Sequence, residues 1–593
     1  MKTFFSFVIA MIGPLLSSAT AGSVPSTSYT LSMPKPSNHL FEVEAVFTNI
    51  EEGNQLFDVF LPVWRPGRYL ILDFADGVQN FSAATADGRP LRWYKINKSA
   101  WRIETKGARS VKVAYKVFAN EFDKKTRGLD IDHGFVSGES VFMYADSHRR
   151  FPVDLTVQPF AAWHVTTGMS DAPGRKNAFT APTYDHFIDC PLEIGTQQDI
   201  NFTVEGKPHV ISISGRGNWN ADTLVRDISK IIEANYMFWG NLPYERYVFL
   251  FHSLPMNGGG VEHSNSTIIG IRGMSFVNPT SYQQFLSLVS HEYFHTWNVK
   301  QLRPRGLHPY DLQHENYSAE LWIAEGTTSY YGPLLLARAG LRPLHSVVDL
   351  TAAYAFEERS RPGNAVLSLS DASYDAWIKY WHSNENAYNA ESDYYSKGAM
   401  VSLLLDLEVR QRSHNASSLD DVMRLMYKRF PLSGSGYTLV DFQRAAEECA
   451  GAGMEDFFSQ FIRGTVPLPW ETVLLHAGIE LKPKQASIKP SLGWTTQAVG
   501  EKVKVGRVLT NSPAEDAGLQ TGDEIAAIDG IRLRQTDIED RLGELKEGTA
   551  VHISFFRNEL LRETTATTRY IGPPQYTAQQ VTSPTPLQTK IYE

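Results

Sequence analysis

The chain is 593 residues long, 42% hydrophobic, 20% charged and 12% aromatic, with 43 Gly and 31 Pro. That profile excludes disorder, collagen-like repeats and coiled-coil rods over most of the length, and it suggests about three to five compact units at roughly 100–200 residues each. Lys and Arg number 56 against 65 Asp and Glu, a formal charge of −9; without a long basic run the electrostatic footprint of a nucleic-acid binder is missing, and no nucleic-acid partner is expected.

Lys2, the apolar run from Phe4 to Leu16 and Ala19-Thr20-Ala21 make the n-region, h-region and cleavage site of a signal peptide over residues 1–21, predicting an exported protein, periplasmic or secreted. The run is too short to cross a bilayer, and no later stretch reaches about 18 apolar residues, so no membrane span is expected after signal cleavage. Two cysteines, Cys190 and Cys449, exclude a disulfide framework and leave their own pairing open.

Residues 22–205 carry short alternating runs such as Val111–Val117 and Phe151–Val157, broken by Gly, Pro, Asn and Asp, which predicts a β-sandwich-like domain. From 206 to 480 the rhythm becomes helical. Leu224, Val225, Ile228, Ile231, Ile232 and Tyr236 mark a helix over Ala221–Phe238, and a strand-like run, Tyr247–Phe251, precedes the glycine-rich loop at 258–260. Around 481–490 a Lys/Pro/Ser stretch reads as a linker. Short strands then return through about 572, and 573–593 is expected to be a flexible tail. The fold class is multidomain α+β.

The sharpest signal is His291-Glu292-Tyr293-Phe294-His295, in a segment expected to be helical with its N-cap near Ser281. One helical turn separates the two histidines, so both imidazoles can reach a single ion. A catalytic zinc asks for a third protein ligand and an open position, and Glu325 in Trp322-Ile-Ala-Glu325-Gly, on a second helix, is the candidate. Glu292, beside the ligands but not one of them, is placed to act as general base. One Zn2+ ion is expected.

His291 through Pro304, with Trp322 through Tyr331, resembles the glycyl aminopeptidase family, thermolysin-like gluzincin metallopeptidases. Pro62-Val-Trp-Arg-Pro-Gly-Arg-Tyr69 and Asp189-Cys-Pro-Leu-Glu-Ile-Gly195 are similar to that family's β-rich N-terminal part. The resemblance covers nearly the whole mature chain and implies a β-domain, a thermolysin-like catalytic domain and a PDZ domain. It further implies that Glu262 binds the substrate's α-amino group and that Gly258, Gly259 and Gly260 run along its backbone. By the same resemblance Tyr395, with Tyr394 as the alternative, stabilises the oxyanion. Ser329 stands where many relatives carry an acidic residue that braces the metal shell, which leaves open how His291 is held.

Val505–Gly530 looks like a bacterial protease PDZ domain. Ser512-Pro-Ala opens a short helix, Gly518 and Gly522 make the turns that follow, and Leu492, Gly493 and Trp494 occupy the place of the loop that takes a peptide carboxylate. The expected activity is that of an exported zinc aminopeptidase releasing small N-terminal residues, Gly or Ala, from peptides with a free N-terminus. A peptide or protein C-terminus is the expected partner of the PDZ domain. Two alternatives remain at this point: a thermolysin-type endopeptidase, and a catalytically silent PDZ-mediated peptide-binding protein.

Overall fold

The computed structural model describes residues 24–253, 258–484 and 488–593. The signal peptide expected over 1–21, and Asn257, lie outside the described residues.

The β-rich part is built on a seven-stranded sheet in which Leu40–Thr48 lies between Ser26–Ser32 and Ser110–Phe118, antiparallel to both. Phe41, Val43, Ala45 and Phe47 alternate with polar neighbours, as do Val111, Val113, Tyr115 and Val117, and all eight are buried. One face of each strand therefore joins the core, which is why the period of two was visible in the sequence. A four-stranded sheet, in the order His164–Thr167, Leu192–Gly195, His133–Val136, Arg127–Leu129, lies against the catalytic domain, and a three-stranded sheet completes this part.

The boundary expected at 205 falls earlier. Gln198–Val204 pairs with Lys207–Gly215, and these strands lead the catalytic sheet. The hairpin closes through Glu205 (φ 49°) and Gly206 (φ 73°), two left-handed residues whose twist matches that of the paired strands and so commits 198–204 to the following unit. The sheet continues through β1 (Tyr247–Ser253), with β2 (Gly259–Glu262) at the far edge and β3 (Ser266–Gly270) between them. β2 thus offers one unpaired edge to the cleft.

The domains share their interior. A single apolar cluster runs from Tyr29 through the catalytic helices to Ile591. Buried charge joins them as well: His252 of β1 meets Glu193 of the N-terminal part at 2.7 Å, and Lys300 meets Asp189 at 2.7 Å. Cys190 and Cys449 are both free thiols.

Three helices carry the site: α1 (Pro279–Phe294), α2 (Thr328–Arg338) and α3 (Ser396–Arg412). The PDZ domain has its own core around Leu492, Val505, Ile538 and Ile553, and a five-stranded sheet with one edge at Trp494–Val499 (β5). β4 (Ile479–Pro483) precedes it and belongs to the catalytic side. Ser512 caps the short helix Pro513–Asp516 by accepting from Glu515 N–H, as its sequence requires. The domain docks through Asn389, whose amide donates to Val508 C=O at 2.8 Å and accepts from Thr510 N–H at 3.2 Å.

The flexible tail expected over 573–593 is instead structured. β6 (Tyr576–Gln580) pairs antiparallel with β4, and α4 (Pro586–Tyr592) buries Ile591 in the main core. The few apolar residues of this segment are spaced to fill a groove made by elements more than a hundred residues away. No local pattern announces that. Among the described residues no helix is long and apolar enough to cross a membrane.

Candidate metal centre

Helix α1 starts three residues ahead of expectation: Asn278, not Ser281, is the cap, its side chain accepting from Ser281 N–H at 2.9 Å, and Pro279 supplies the first helical φ. The helix delivers His291 and His295 one turn apart, with their Nε2 atoms 3.0 Å from each other. His295 Nδ1 lies 2.7 Å from the Asn298 carbonyl, so it carries the proton and leaves Nε2 as a lone pair. Ser329 Oγ lies 3.5 Å from His291 Nδ1, so a hydroxyl stands where an acidic brace was missing from the sequence.

Glu325 sits in a π-helical turn, Trp322–Thr327, immediately before α2. The wider turn loosens the ladder. Asn298 Nδ2 answers by donating to the carbonyls of Ile323 at 2.9 Å and Ala324 at 3.3 Å, and Thr328 Oγ1 donates to Ala324 C=O at 2.7 Å. The result aims Glu325 Oε2 to 3.2 Å from His295 Nε2 and 3.8 Å from His291 Nε2. His291, His295 and Glu325 are one of two groups among the described residues whose donor atoms could converge on one ion. Two imidazole lone pairs facing each other repel unless a cation lies between them, and two histidines with one glutamate are a catalytic zinc donor set. The residues fit zinc.

The electrostatics agree. Glu292, 5% exposed, has its pKa pushed up to about 8 by burial and by the nearby carboxylates Glu262 and Glu325, against the pull of His295. Burial would lower His295, yet Glu325, Glu262 and Glu292 together raise it to about 10, so these carboxylates draw a positive charge to Nε2, which a proton or, in its place, a metal ion can supply. Three buried carboxyl groups around two imidazoles therefore favour a cation between them, and a divalent ion there would also favour the ionised form of Glu292.

Helix α3 crosses the π turn at Gly326 and Gly398, where a Cβ on Gly326 would stand 2.5 Å from Gly398 Cα and 2.7 Å from Tyr394 C=O. This approach brings the start of α3 over the metal ligands. Tyr395 comes within hydrogen-bonding reach of Glu325, and its ring lies 6.4 Å from that of His291. Tyr394 is fully buried and accepts from Trp381 Nε1 at 3.1 Å. Of the two tyrosines only Tyr395 lines the cleft.

Along β2, Glu262 is 5% exposed with Oε1 unpartnered among the described residues, and a Cβ on Gly260 would fall 2.4 Å from the Glu292 carboxyl carbon. The strand edge, Glu262 and Glu292 therefore face one cavity of about 670 Å³ with the three candidate ligands. Gly258 and Gly259 line the same cavity.

Three matches define the family. Residues 28–196 match the Peptidase M61 N-terminal domain, 284–401 the M61 glycyl aminopeptidase domain and 490–568 a PDZ domain. The chain belongs to the M61 glycyl aminopeptidase family. It is an aminopeptidase with a β-rich N-terminal domain, a helical catalytic domain whose donor set fits zinc, and a C-terminal PDZ domain. The crystal structure of an aminopeptidase N family protein from Idiomarina loihiensis superposes with a TM-score of 0.88 at 28% identity, over 95% of this chain and 99% of that one. An M1 zinc metallopeptidase from Deinococcus radiodurans shows a looser likeness, TM-score 0.47 at 14% identity over 75% of this chain and 95% of that chain. No curated protein matches significantly.

The aminopeptidase takes part of its cleft from the N-terminal domain, which sequence reading did not place there. Arg65, Gly67 and Arg68 of the Trp-Arg-Pro-Gly-Arg motif line it, as do Asp123 and Lys125. Gly67, at φ 82°, lies so close to Glu262 that a Cβ would be 2.5 Å from Oε2. The motif was visible; its destination was not. At the PDZ domain, Leu492 is fully buried, Gly493 adopts φ 71° and donates its N–H to Ser491 Oγ at 3.1 Å, and Trp494 opens the edge strand β5.

Proposed function

We propose that the protein is an exported aminopeptidase that releases small N-terminal residues, Gly or Ala, from peptides with a free N-terminus. His291, His295 and Glu325 would hold one zinc ion. When bound, zinc supplies the Lewis acidity that acidifies a water and polarises the scissile carbonyl. Glu292 accepts a proton from the attacking water and passes it to the departing amine. The Tyr395 phenol donates to the oxygen on which negative charge grows. Glu262 holds the substrate ammonium, and β2 receives the peptide backbone as an added strand.

The observation that carries the exopeptidase reading is the Glu262 carboxylate. It is buried, has one oxygen without a partner among the described residues, and stands two strand positions from the residue that touches Glu292. A lone buried carboxylate at that distance from the scissile bond suits a charged α-amine one residue upstream. Export is supported by the pattern of residues 1–21. Small first residues are supported by the Tyr395 ring beside His291, held in place by Tyr380 and Tyr394 packed behind it.

A panel of aminoacyl reporters, free and N-acetylated, with and without a chelator, tests the whole reading. The expected result is turnover of Gly and Ala reporters only, lost on acetylation and on chelation. Undiminished cleavage of acetylated peptides would instead identify an endopeptidase. Zinc binding without cleavage of any unblocked peptide would identify the silent peptide binder.

A further inference from the structure

Order along β2 gives the cleft a direction. Glu262 and Gly260 lie on one face of β2, and Gly258 precedes the strand, beyond Gly259 at φ 91°. Glu262 marks the amine end, Gly260 lies against Glu292 at the scissile bond, and Gly258 lies beyond it. Two residues of chain reach at most about 7 Å, so Gly258 lies within about two residues of the bond on its downstream side. At that point stands Lys125 of the N-terminal domain, 7% exposed, donating to Gly258 C=O at 3.0 Å.

Lys125 is not alone. Arg68 lines the same cavity with its guanidinium carbon 5.5 Å from the centre of the Trp381 ring, and its Nε has no partner. Arg65, 5% exposed, makes a single long hydrogen bond to Pro66 C=O at 3.4 Å and leaves its own Nε unpartnered. Among the described residues none of these three cations has a carboxylate within 4.0 Å, although the structure pairs most of its other arginines that way. Outside the metal centre, Glu121 is taken by Lys124 at 2.9 Å, which leaves Asp123 to face Arg68 and Lys125. Glu262 and Glu292 act on Arg65, and Glu292 on Lys125, only from beyond ion-pair distance, and in the proposed reaction they serve the substrate amine and the attacking water. Their mutual repulsion shows in Lys125, whose pKa burial and the Arg65 charge bring down to about 8.

Arg65 and Lys125 are buried and Arg68 is half-buried, and cations withdrawn from water without a carboxylate in contact are expensive, so a ligand that supplies the charge is favoured there. From the geometry we infer that Arg68 and Lys125, backed by Arg65, form an anion subsite downstream of the scissile bond that selects peptides bearing a carboxylate within about two residues of it. The carboxylate has two sources, an acidic side chain or the free C-terminus of a short peptide. This inference rests on the aminopeptidase reading and adds to it a substrate class.

Four peptides separate the sources: Gly-Gln-Gly-amide as the neutral reference, Gly-Glu-Gly-amide for the acidic side chain, Gly-Gln-Gly with a free C-terminus for the terminal carboxylate, and Gly-Lys-Gly-amide for the opposite charge. In the wild-type enzyme at low ionic strength, kcat/KM is expected to be at least tenfold higher for one or both carboxylate peptides than for the reference, and lowest for the lysine peptide. The advantage should shrink as salt rises. Arg68→Gln and Lys125→Gln should each cut the carboxylate-to-neutral ratio severalfold at unchanged zinc content, and Arg68→Glu should turn the preference toward Gly-Lys-Gly-amide, which a merely structural arginine would not do. Equal kcat/KM for all four peptides, or a wild-type ratio unmoved by every variant, overturns the subsite while leaving the aminopeptidase intact. Failure to cleave any of the four, together with the aminoacyl reporters, strikes the aminopeptidase reading itself.

Discussion

The contact between Gly326 and Gly398 gives a measurable handle on how the site is assembled. Replacing Gly326 by Ala puts a Cβ 2.5 Å from Gly398 Cα, 2.7 Å from Gly398 C and 2.7 Å from the Tyr394 carbonyl oxygen, all backbone atoms that cannot rotate away. Carbon–carbon contacts are comfortable at about 3.5–4.0 Å, so the π turn and α3 must part by about 1 Å. Overpacking of that kind costs about 1–3 kcal/mol. Glu325 is on one side of the contact and Tyr395 on the other, so the proposed ligand and the proposed oxyanion donor separate, and a 1 Å misplacement costs about 100-fold in rate. Gly332→Ala is the control. It lies in α2, also close to the metal helix, but its Cβ would meet Ser287 C=O at 3.6 Å and His291 Cβ at 3.7 Å, which is ordinary contact. The assay is kcat/KM on a Gly reporter with zinc content and melting temperature measured in parallel. Gly326→Ala is expected to lose about two orders of magnitude, and Gly332→Ala less than about threefold because a helical Ala replaces a helical Gly without a clash. Wild-type kcat/KM in Gly326→Ala would refute the idea that this contact sets the distance between Glu325 and Tyr395.

Glu292→Gln should retain zinc and lower kcat by at least about 100-fold, since the amide cannot take a proton; stoichiometric zinc with full turnover would remove the general-base role. Lys300→Met should destabilise the fold by about 3 kcal/mol in denaturant titration, because Asp189, 16% exposed in its side chain, keeps among the described residues only His263 and Ser264 N–H as partners, whereas adding Asp189→Leu should restore part of the loss. In the wild type, Lys300 and the His263 hydrogen bond hold the Asp189 carboxyl below the ordinary range despite its burial. A depressed folded pKa stabilises above the unfolded value near ~3.9 and ceases to do so as pH falls through the folded value, so the contribution should be complete at neutral pH and decline below about pH 4. Deleting 573–593 should lower the melting temperature and expose β4 to proteolysis, with about 2 kcal/mol lost from Ile591 alone. An unchanged melting curve would return the segment to the status of a tail.

Local periodicity explains what could be read without a structure. The i,i+4 spacing of His291 and His295 is a property of any helix, and alternation at Phe41–Phe47 or Val111–Val117 is a property of any half-buried strand. Both survive whatever surrounds them. Residues that act through distant partners were not legible in the same way. Asn298 is an unremarked polar residue until the π turn places two loosened carbonyls at its amide, and residues 576–592 resemble loose chain until β4 and the core beneath α4 are in place.

By itself, then, the sequence determined the metal chemistry, the order of domains and the strands and helices that carry them, because each depends on residues within a few positions of one another. Tertiary structure decided which tyrosine faces the ligands, where the catalytic sheet begins, and that the N-terminal domain lends Arg65, Gly67, Arg68 and Lys125 to a cleft whose ligands lie some two hundred residues later. Long-range packing chooses those neighbours. Charge left unpaired inside a chain is invisible until folding shows what does, and does not, stand next to it.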